Sequence, residues 1–352
     1  MIKCFALSLL VPVVGFASGK RSDGTFAPPP SRIAFGSCIH QDREPKSLDP
    51  VVAAPPELFV FLGDNIYGDT HDMAVLKKKY AQLAAKPQFQ ALKQAGPVLA
   101  IWDDHDYGVN DAGREYAQRE ESQKVFQDFW EVPKGDPSRE TPGIYREVLY
   151  GPPGKRLQVL LLDTRYFRSS LGPTVSDWRK QKRSGPYTRV TDPGATILGE
   201  AQWEWLEDRL KQPAQMRIIA SSIQVLPKEH FWESWANMPA ERLHLLELLE
   251  GGKEPVVFLS GDRHMGEISR MPADDVTGPG REVWEVTSSG ITQAGGGYNE
   301  ANEYRMGSKD TFRSRNVGWL TIDWSAGAYP DVKMELRDVD GKTVVSGAYA
   351  TP

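Results

Sequence analysis

Short apolar runs recur along the chain and predict buried β-strands. Residues 58–62 read LFVFL, residues 98–102 read VLAIW, and residues 256–260 read VVFLS, each without a charged side chain. Uninterrupted apolar runs of this length are typical of strands that are buried on both faces of a sheet. A further strand is predicted over residues 31–35, near the start of the chain.

Polar residues follow each of these four strands directly. The strand at residues 31–35 is followed by Gly-Ser-Cys38, and the strand at 58–62 by Gly63 and Asp64. The strand at 98–102 is followed by residues 103–106 (DDHD), and the strand at 256–260 by GDRH over residues 261–264. Open α/β sheets bind ligands beyond the carboxyl ends of their strands. We therefore expect the four strand ends to converge on a metal centre suited to phosphate ester hydrolysis.

Helical periodicity alternates with the strands over most of the chain. Helices are predicted over residues 73–85, 87–94, 114–131, 198–212 and 239–250, because apolar residues recur there on one helical face and Pro or Gly bounds several of them. Further strands are predicted over residues 144–149, 157–162, 216–222, 268–271, 283–287, 317–324, 332–337 and 344–349. This order predicts an α/β domain with stacked sheets and helices on the outside.

The composition is that of an ordinary globular protein. The 352 residues are 40% hydrophobic and 25% charged, which suits one large domain, and neither a repeat nor a linker divides it. With a formal net charge of −5, a nucleic-acid backbone is not expected as a partner, since phosphates attract basic surfaces. Residues 168–197 form a long polar stretch that is basic at residues 179–183, which predicts either a functional loop or a solvated surface excursion.

The amino terminus has the features of a secretory signal peptide. Residues 1–19 contain Lys3, an apolar run and a small-residue exit, and the run is too short to span a bilayer. We expect residues 20–30 to be a flexible lead-in and residues 31–352 to form a single domain with a β-rich carboxyl-terminal part. The sequence thus predicts a periplasmic or extracellular protein without stable membrane insertion. Cleavage would leave Cys38 as the single cysteine, either a metal ligand or a buried bystander.

The residue types at the strand ends favour a two-metal hydrolase. Such a centre needs one carboxylate that bridges two cations, and Asp64 is the best candidate because it leads the loop from a buried strand. Tyr67 lies three residues on, where its phenolate can return to the same ion. A Cys38 thiolate together with a Tyr67 phenolate favours ferric iron over magnesium.

Other residues of the motifs have candidate roles in binding and proton transfer. Adjacent carboxylates around Asp104 would repel one another unless cations neutralise them, and His105 could protonate a leaving alkoxide. Arg165 and Arg263 are candidates for clamping a phosphate oxygen. The alternative for Arg165 is a structural ion pair with Asp163 or another acid.

Several alternatives remain open on the sequence alone. No Gly-x-Ser-x-Gly elbow occurs, so a serine nucleophile has no support. A thiol nucleophile at Cys38 with His105 or His264 would leave the aspartates without a task. The chain could also be a non-catalytic, metal-stabilised binding module, or a phospholipase-type diesterase that acts on lipid phosphate esters.

These motifs resemble the alkaline phosphatase D family of the calcineurin-like metallophosphoesterases. The resemblance spans roughly residues 33–289 and consists of six blocks in one order: FGSC, GDNIY, WDDHD, LDTR, LGEAQWEWL and GDRH. It implies a four-layer αββα sandwich of two mixed β-sheets flanked by helices. It also implies an exported phosphatase or phosphodiesterase, acting on small-molecule or lipid phosphate esters, with a centre of ferric iron and calcium.

The resemblance also implies a division of the ligands between the two cations. Iron would be held by Cys38, Asp64, Tyr67 and Asp262. Asp64 would bridge to calcium, where Asn110 or Asp104 and His264 would complete the site. The chain is short for a member of this family, and a large amino-terminal β-domain is not expected in it. The substrate therefore does not follow from the family.

Overall fold

The computed structural model describes residues 26–295, 300–307 and 311–350, so the predicted signal peptide lies outside the described residues. Most of the predicted strands and helices are confirmed, with ends that move by a few residues. The strands are β1 (Arg32–Gly36), β2 (Leu58–Leu62), β3 (Val98–Ile101), β4 (Arg146–Tyr150), β5 (Leu157–Leu161), β6 (Met216–Ala220), β7 (Val256–Ser260), β8 (Gly266–Met271), β9 (Val283–Ser288), β10 (Val317–Asp323), β11 (Asp331–Arg337) and β12 (Thr343–Tyr349). The helices are α1 (Asp49–Ala53), α2 (Met73–Ala84), α3 (Pro87–Ala95), α4 (Asp104–Tyr107), α5 (Arg119–Phe129), α6 (Gly199–Leu210) and α7 (Pro239–Glu247).

The strands form two mixed sheets of six. In the first sheet the order is β12-β11-β10-β1-β2-β3, with β1, β2 and β3 parallel and the others antiparallel. In the second the order is β4-β5-β6-β7-β9-β8, with a parallel centre and antiparallel strands at both edges. Parallel centres require crossover connections, and α6 and α7 serve as crossovers in the second sheet.

Alternate residues of the second sheet belong to two different apolar cores. Val159 and Leu161 of β5 pack in the core shared with the first sheet, which also contains Val60. Leu160 of the same strand points the other way, into a core with Leu206 of α6. Because side chains of a strand alternate between faces, the second sheet lies between the first sheet and its own helices.

Helices also cover the outer face of the first sheet. Leu76 of α2, Phe89 of α3 and Phe126 of α5 are buried in the core with the β2 side chains. The four-layer αββα architecture predicted from the sequence is thereby confirmed.

Parallel pairing aligns the strand ends that carry the candidate ligands. In the first sheet Gly36 pairs with Phe61 and Leu62 pairs with Ile101, so β1, β2 and β3 end at one edge. Gly261, which follows β7 of the second sheet, approaches this edge so closely that a Cβ there would lie 2.4 Å from Ser37 Oγ. The two sheets therefore bring their ligand-bearing loops together at one end of the sandwich.

Two local differences from the predicted elements have clear physical reasons. Helix α5 begins at Arg119 rather than residue 114, because residues 113–118 form turns such as the Tyr116 N–H bond to the Gly113 carbonyl. The acidic residues after β3 form the short helix α4, which was not predicted. Its N-cap Asp103 and its Asp106 form a reciprocal capping box. Among the described residues, every helix is too short or too polar to cross a bilayer.

Candidate metal centre

Four of the predicted ligands have left-handed backbone conformations. The φ angles are 64° at Cys38, 49° at Asp64, 64° at Asp262 and 54° at His264. Non-glycine residues adopt such angles rarely and at a cost of order 1–3 kcal/mol each, so they persist where the surrounding structure enforces them. All four lie two to four residues after a strand end, and Cys38, Asp262 and His264 each share a group of potential ligand atoms with Asp64.

Asp106 holds two of the ligand loops together. Its fully buried carboxylate accepts hydrogen bonds from the backbone N–H groups of Asp64 at 3.0 Å and Asp103 at 2.7 Å. It also accepts from the amide of Asn65 at 2.6 Å and the hydroxyl of Tyr80 at 3.1 Å. The β2 and β3 loops are thus fixed by one carboxylate, which reads from sequence only as part of an acidic run.

Potential ligand atoms from these loops meet in three overlapping groups. The atoms within each group lie within 4.8 Å of one another, and Asp64 belongs to all three. The groups are Cys38, Asp64 and His264; Asp64, Asp104 and His105; and Asp64, Asp103, Asp104 and Asp262. Asp64 therefore has the position expected of a carboxylate that bridges two cations.

The donors of this cluster fit a bound cation. In the described part of the chain, the buried oxygens Asp64 Oδ1, Asp103 Oδ2 and Asp104 Oδ1 accept no hydrogen bond from the protein. Buried carboxylate oxygens without a partner are costly, and cations supply the missing interaction. Oxygen, nitrogen and sulfur donors together suit a transition metal beside a harder cation such as calcium.

The geometry divides the ligands differently from the resemblance. His264 lies with Cys38 and Asp64, and its Nε2 is 2.8 Å from the Tyr67 hydroxyl. Tyr67 also donates a hydrogen bond of 3.3 Å to Asp64. Asp262 instead lies with the aspartates that follow β3. The resemblance implies His264 at the calcium site and Asp262 at the iron site, whereas the distances group His264 with Cys38 and group Asp262 with Asp103 and Asp104.

Burial changes the pKa values of the candidate ligands. It raises the pKa of the Cys38 thiol to about 12 and that of Asp262 to about 7, and it raises the pKa of Asp64 and of Tyr67 well above their usual ranges. Like charges nearby act in the same direction, because one more negative group is unfavourable in this cluster. Bound cations reverse this preference, since they stabilise thiolate, phenolate and carboxylate forms.

Asp104 is the exception among the aspartates. Burial alone would raise the pKa of Asp104, but the positive charges of Arg165 and His105 outweigh it and hold this pKa at about 2. Its second oxygen accepts a 2.6 Å hydrogen bond from the backbone of Asp111. Asp104 is therefore ionised and oriented at neutral pH, as a ligand must be. Asn110, the other residue considered for this position, is exposed and lines the same cavity.

His105 is held at the cavity by a carboxylate and by an aromatic ring. Its Nδ1 donates a 2.7 Å hydrogen bond to Asp69, and its ring lies 4.3 Å from the ring of Tyr67. Burial alone would lower the pKa of His105, but the Asp69 hydrogen bond and neighbouring carboxylates raise it to about 9. Asp69, the residue that orients this histidine, could not be identified from the sequence.

Arg165 lies beneath the cavity rather than in it. Its guanidinium is fully buried and binds Asp103 and Glu233, with a 2.6 Å contact from Nη1 to the glutamate. Glu233 also pairs with Arg168 at 2.9 Å. These carboxylates occupy the buried guanidinium, so the role of Arg165 as a phosphate clamp stays a prediction. The alternative of a structural ion pair is the arrangement observed, with Asp103 as a partner in place of Asp163.

Arg263 does line the cavity, which has a volume of about 240 Å³. The guanidinium pairs with Glu300 and with Asp262, the latter at 3.4 Å, and lies 4.9 Å from the ring centre of Trp232. Glu233 and Trp232 belong to the same wall. Both wall residues were missed from sequence, since neither follows a strand nor belongs to a recognisable motif.

Comparisons with known proteins agree with this fold. A family model described as PhoD-like phosphatase matches residues 37–340. Solved structures with the same fold include PhoD, at TM-score 0.68 and 18% identity over 95% of this chain and 71% of that one. A purple acid phosphatase from yellow lupin seeds has TM-score 0.60 and 13% identity over 95% of this chain and 55% of that one.

A third solved structure is a dimetal phosphatase from Danio rerio, at TM-score 0.50 and 14% identity over 92% of this chain and 100% of that one. The search of curated proteins found no match. At these identities the solved structures show the fold alone, whereas the family model spans residues 37–340, a range that includes every predicted ligand from Cys38 to His264. The chain therefore belongs to the PhoD-like phosphatase family and is a phosphoester hydrolase.

Proposed function

We propose that this hydrolase cleaves phosphate monoesters or diesters at a two-cation centre bridged by Asp64. The observation that carries the proposal is that Asp64 is the single residue shared by all three groups of potential ligands. Its two carboxylate oxygens face different partners, since Oδ2 contacts Cys38 at 3.4 Å and Tyr67 at 3.3 Å while Oδ1 accepts no hydrogen bond. When bound, the cations supply an activated water and neutralise charge that develops on the phosphate.

The side chains of the chain itself have separate tasks around that centre. Cys38, Tyr67 and His264 would hold one cation, and Asp104 and Asp262, with Asn110 at the cavity rim, would hold the other. His105 donates a proton to the leaving oxygen, for which its position beside the cavity and the Asp69 hydrogen bond are suited. Arg263 orients a phosphate oxygen from the cavity wall.

Ferric iron and calcium are the proposed cations. Thiolate and phenolate donors at Cys38 and Tyr67 favour ferric iron, and the aspartate-rich group favours calcium. A tyrosinate bound to ferric iron absorbs visible light, so the native protein is expected to be coloured. Tyr67→Phe should abolish this absorption while leaving iron measurable by elemental analysis. Zinc alone in the native protein would contradict the assignment.

Export to the periplasm or the extracellular space is part of the proposal. It rests on the signal-like pattern of residues 1–19 alone. Small-molecule phosphate esters are the proposed substrates, and hydrolysis of lipid phosphate esters remains the second candidate that activity measurements would separate.

The decisive experiment compares Asp64→Asn with Asp42→Asn. Asp42 is an exposed residue of a neighbouring loop, so its substitution controls for the loss of one carboxylate. Asp64→Asn should lower kcat/KM for p-nitrophenyl phosphate by roughly 10³-fold, which corresponds to ~4 kcal/mol, whereas Asp42→Asn should leave it unchanged. If folded, equally metal-loaded Asp64→Asn protein kept the parent rate, the proposal would be wrong.

A further inference from the structure

Residues 174–187 form a hairpin-shaped loop, closed by a single antiparallel bridge, that belongs to the long polar segment noted in the sequence. Thr174 and Tyr187 form an antiparallel bridge, and the Val175 N–H bonds the Pro186 carbonyl at 2.8 Å. At the tip, the Arg183 N–H closes a tight turn onto the Trp178 carbonyl at 3.0 Å. The segment is therefore an ordered projection with internal hydrogen bonds. We call residues 174–187 the basic hairpin.

The tip of the basic hairpin concentrates positive charge on an acidic protein. Arg179, Lys180 and Lys182 are exposed, and the partly exposed Arg183 follows them, while Asp177 is the one acid of the tip. Asp177 lies 3.2 Å from Lys180 in an exposed pair, which is too weak to cancel the local charge. The whole chain carries a formal charge of −5, so this patch stands against the average charge of the molecule.

The basic hairpin is attached to the wall of the catalytic cavity. The Tyr187 hydroxyl donates a hydrogen bond to the carboxylate of Asp111, and the ring of Trp178 lies 5.2 Å from that of Trp232. Both Asp111 and Trp232 line the cavity. On the other side of Trp178, the Arg179 guanidinium lies 4.4 Å from the indole ring centre. Two consecutive side-chain contacts thus connect the cavity wall to the cations of the tip.

Backbone hydrogen bonds also fix the position of the basic hairpin relative to the cavity wall. The Tyr187 N–H bonds the Phe231 carbonyl at 2.9 Å, and the Phe231 N–H bonds the Ser184 carbonyl at 2.6 Å. Gly185, at φ 124°, lies against this strand-like contact, where a Cβ would come within 2.3 Å of the Phe231 backbone. The hairpin therefore keeps a fixed position relative to Trp232, the next residue along that segment.

Two acids of the cavity wall already have cationic partners. Glu233 binds Arg165 and Arg168, and Glu300 binds Arg263. Lys180 and Lys182 are exposed at the tip of the hairpin. Charge held in this way beside a phosphate-binding site is suited to the far part of a substrate rather than to its reacting phosphate.

We propose that the basic hairpin binds the leaving group of an extended, multiply anionic phosphate ester whose reacting phosphate occupies the metal centre. The proposal rests on the proposed function, because it assigns the remainder of the same substrate. A membrane surface fits the patch less well. The large apolar side chains that are exposed in the described residues, Val75, Leu243, Val276 and Val339, all lie outside the hairpin.

The binding test uses the metal-loaded full chain and a fluorescein-labelled phosphorothioate decathymidylate, a hydrolysis-resistant chain of anionic esters. The double variant Lys180→Gln with Lys182→Gln should bind it at least about tenfold more weakly at low salt. Loss of two phosphate contacts should also flatten the slope of log K against log salt by about 1.4. The matched control is Lys211→Gln with Lys253→Gln, because both lysines are exposed and precede β6 and β7 at the opposite end of the sheet.

The kinetic arm separates this proposal from the proposed function. p-Nitrophenyl phosphate carries no anionic group apart from its single reacting phosphate. Its kcat/KM should therefore be the same in both double variants as in the parent. An inactive parent protein would contradict the proposed function. Binding of the fluorescein-labelled oligonucleotide, measured by fluorescence anisotropy, would still test the role of the hairpin. Equal affinity of the hairpin variant and the parent would overturn the proposal, as would an equal loss in the control. If the hairpin double variant lost the parent's binding to vesicles with about 30% anionic lipid but bound the oligonucleotide as tightly as the parent does, the proposal would be overturned in favour of a membrane surface.

Discussion

His105 and Asp69 illustrate how two side chains can share one chemical task. The hydrogen bond from Nδ1 to Asp69 fixes the tautomer and orientation of the imidazole, and the Tyr67 ring packs against it at 4.3 Å. His105 is also close enough to Asp64 and Asp104 to be a ligand. Proton donation and metal ligation make different demands, because an acid matters only when the leaving group is a poor one.

The first prediction concerns this distinction. His105→Gln should lower kcat for an alkyl phosphate by about 10²-fold or more, since an alkoxide needs a proton to leave. It should lower kcat for p-nitrophenyl phosphate far less, because nitrophenolate leaves without one. Asp69→Asn should follow the same pattern at smaller amplitude. An equal loss on both substrates, together with a lower metal content, would instead identify His105 as a ligand.

Sequence reasoning found the residues that follow strands and missed those that support them. Cys38, Asp64 and His264 could be predicted because each stands at the end of an apolar run. The structural roles of Asp106 and Glu233 could not, since the hydrogen bonds of each depend on residues distant in sequence. The burial of Arg165 could not be predicted for the same reason, because a buried and an exposed arginine look alike in sequence.

The loops after the strands depend on backbone geometry as much as on side chains. Gly63 has φ +96° between β2 and Asp64, and a Cβ there would lie 2.5 Å from that of Asp103. Glycine is needed here both for the left-handed conformation and for the close approach of the two loops. The apolar runs predicted the strands of this part of the fold, whereas α4 was missed because its capping box involves residues of one acidic run.

The second prediction compares two glycines with similar backbone angles. Gly63→Ala should destabilise the protein by more than the roughly 1–3 kcal/mol of a strained backbone, and it should lower metal content, because Asp103 must move. Gly154, at φ +84°, has open space around the position of a Cβ, so Gly154→Ala should cost only the conformational strain. Chemical denaturation and elemental analysis measure both effects. Equal losses of stability would show that the loop contact is unimportant.

The arrangement of the two sheets makes the site an assembly of the complete domain. Cys38, Asp64 and Asp104 come from the first sheet, and Asp262 and His264 come from the second. The carboxyl groups of Asp64, Asp104 and Asp262 lie close together, so proton binding and cation binding compete within the folded state. The stacking of two sheets could be predicted from the order of elements, but which strand ends face one another depends on contacts such as that of Gly261 with Ser37.

The third prediction follows from this competition. Burial raises the pKa of Asp262 to about 7 and that of Asp106 to about 6, above the value near 3.8 expected when unfolded. Metal-free folded protein therefore binds more protons than unfolded protein between about pH 4 and pH 7, and its stability should fall as the pH rises through that window. Thermal unfolding at a series of pH values measures this.

Metal loading should oppose that fall, because cations take the place of the protons and favour the ionised carboxylates. The comparison between metal-free and metal-loaded protein at each pH serves as the control. A melting temperature of the metal-free protein that rises from pH 4 to pH 7 would contradict the account.

The most direct test of a bridged two-cation centre is an anomalous difference map from crystals of the native, metal-loaded protein. We predict two peaks that both contact the Asp64 carboxylate, one on the side of Cys38 and His264 and the other on the side of Asp104 and Asp262. A single peak away from Asp64, or ordered metal-loaded crystals without a peak between the two sheets, would contradict the central claim.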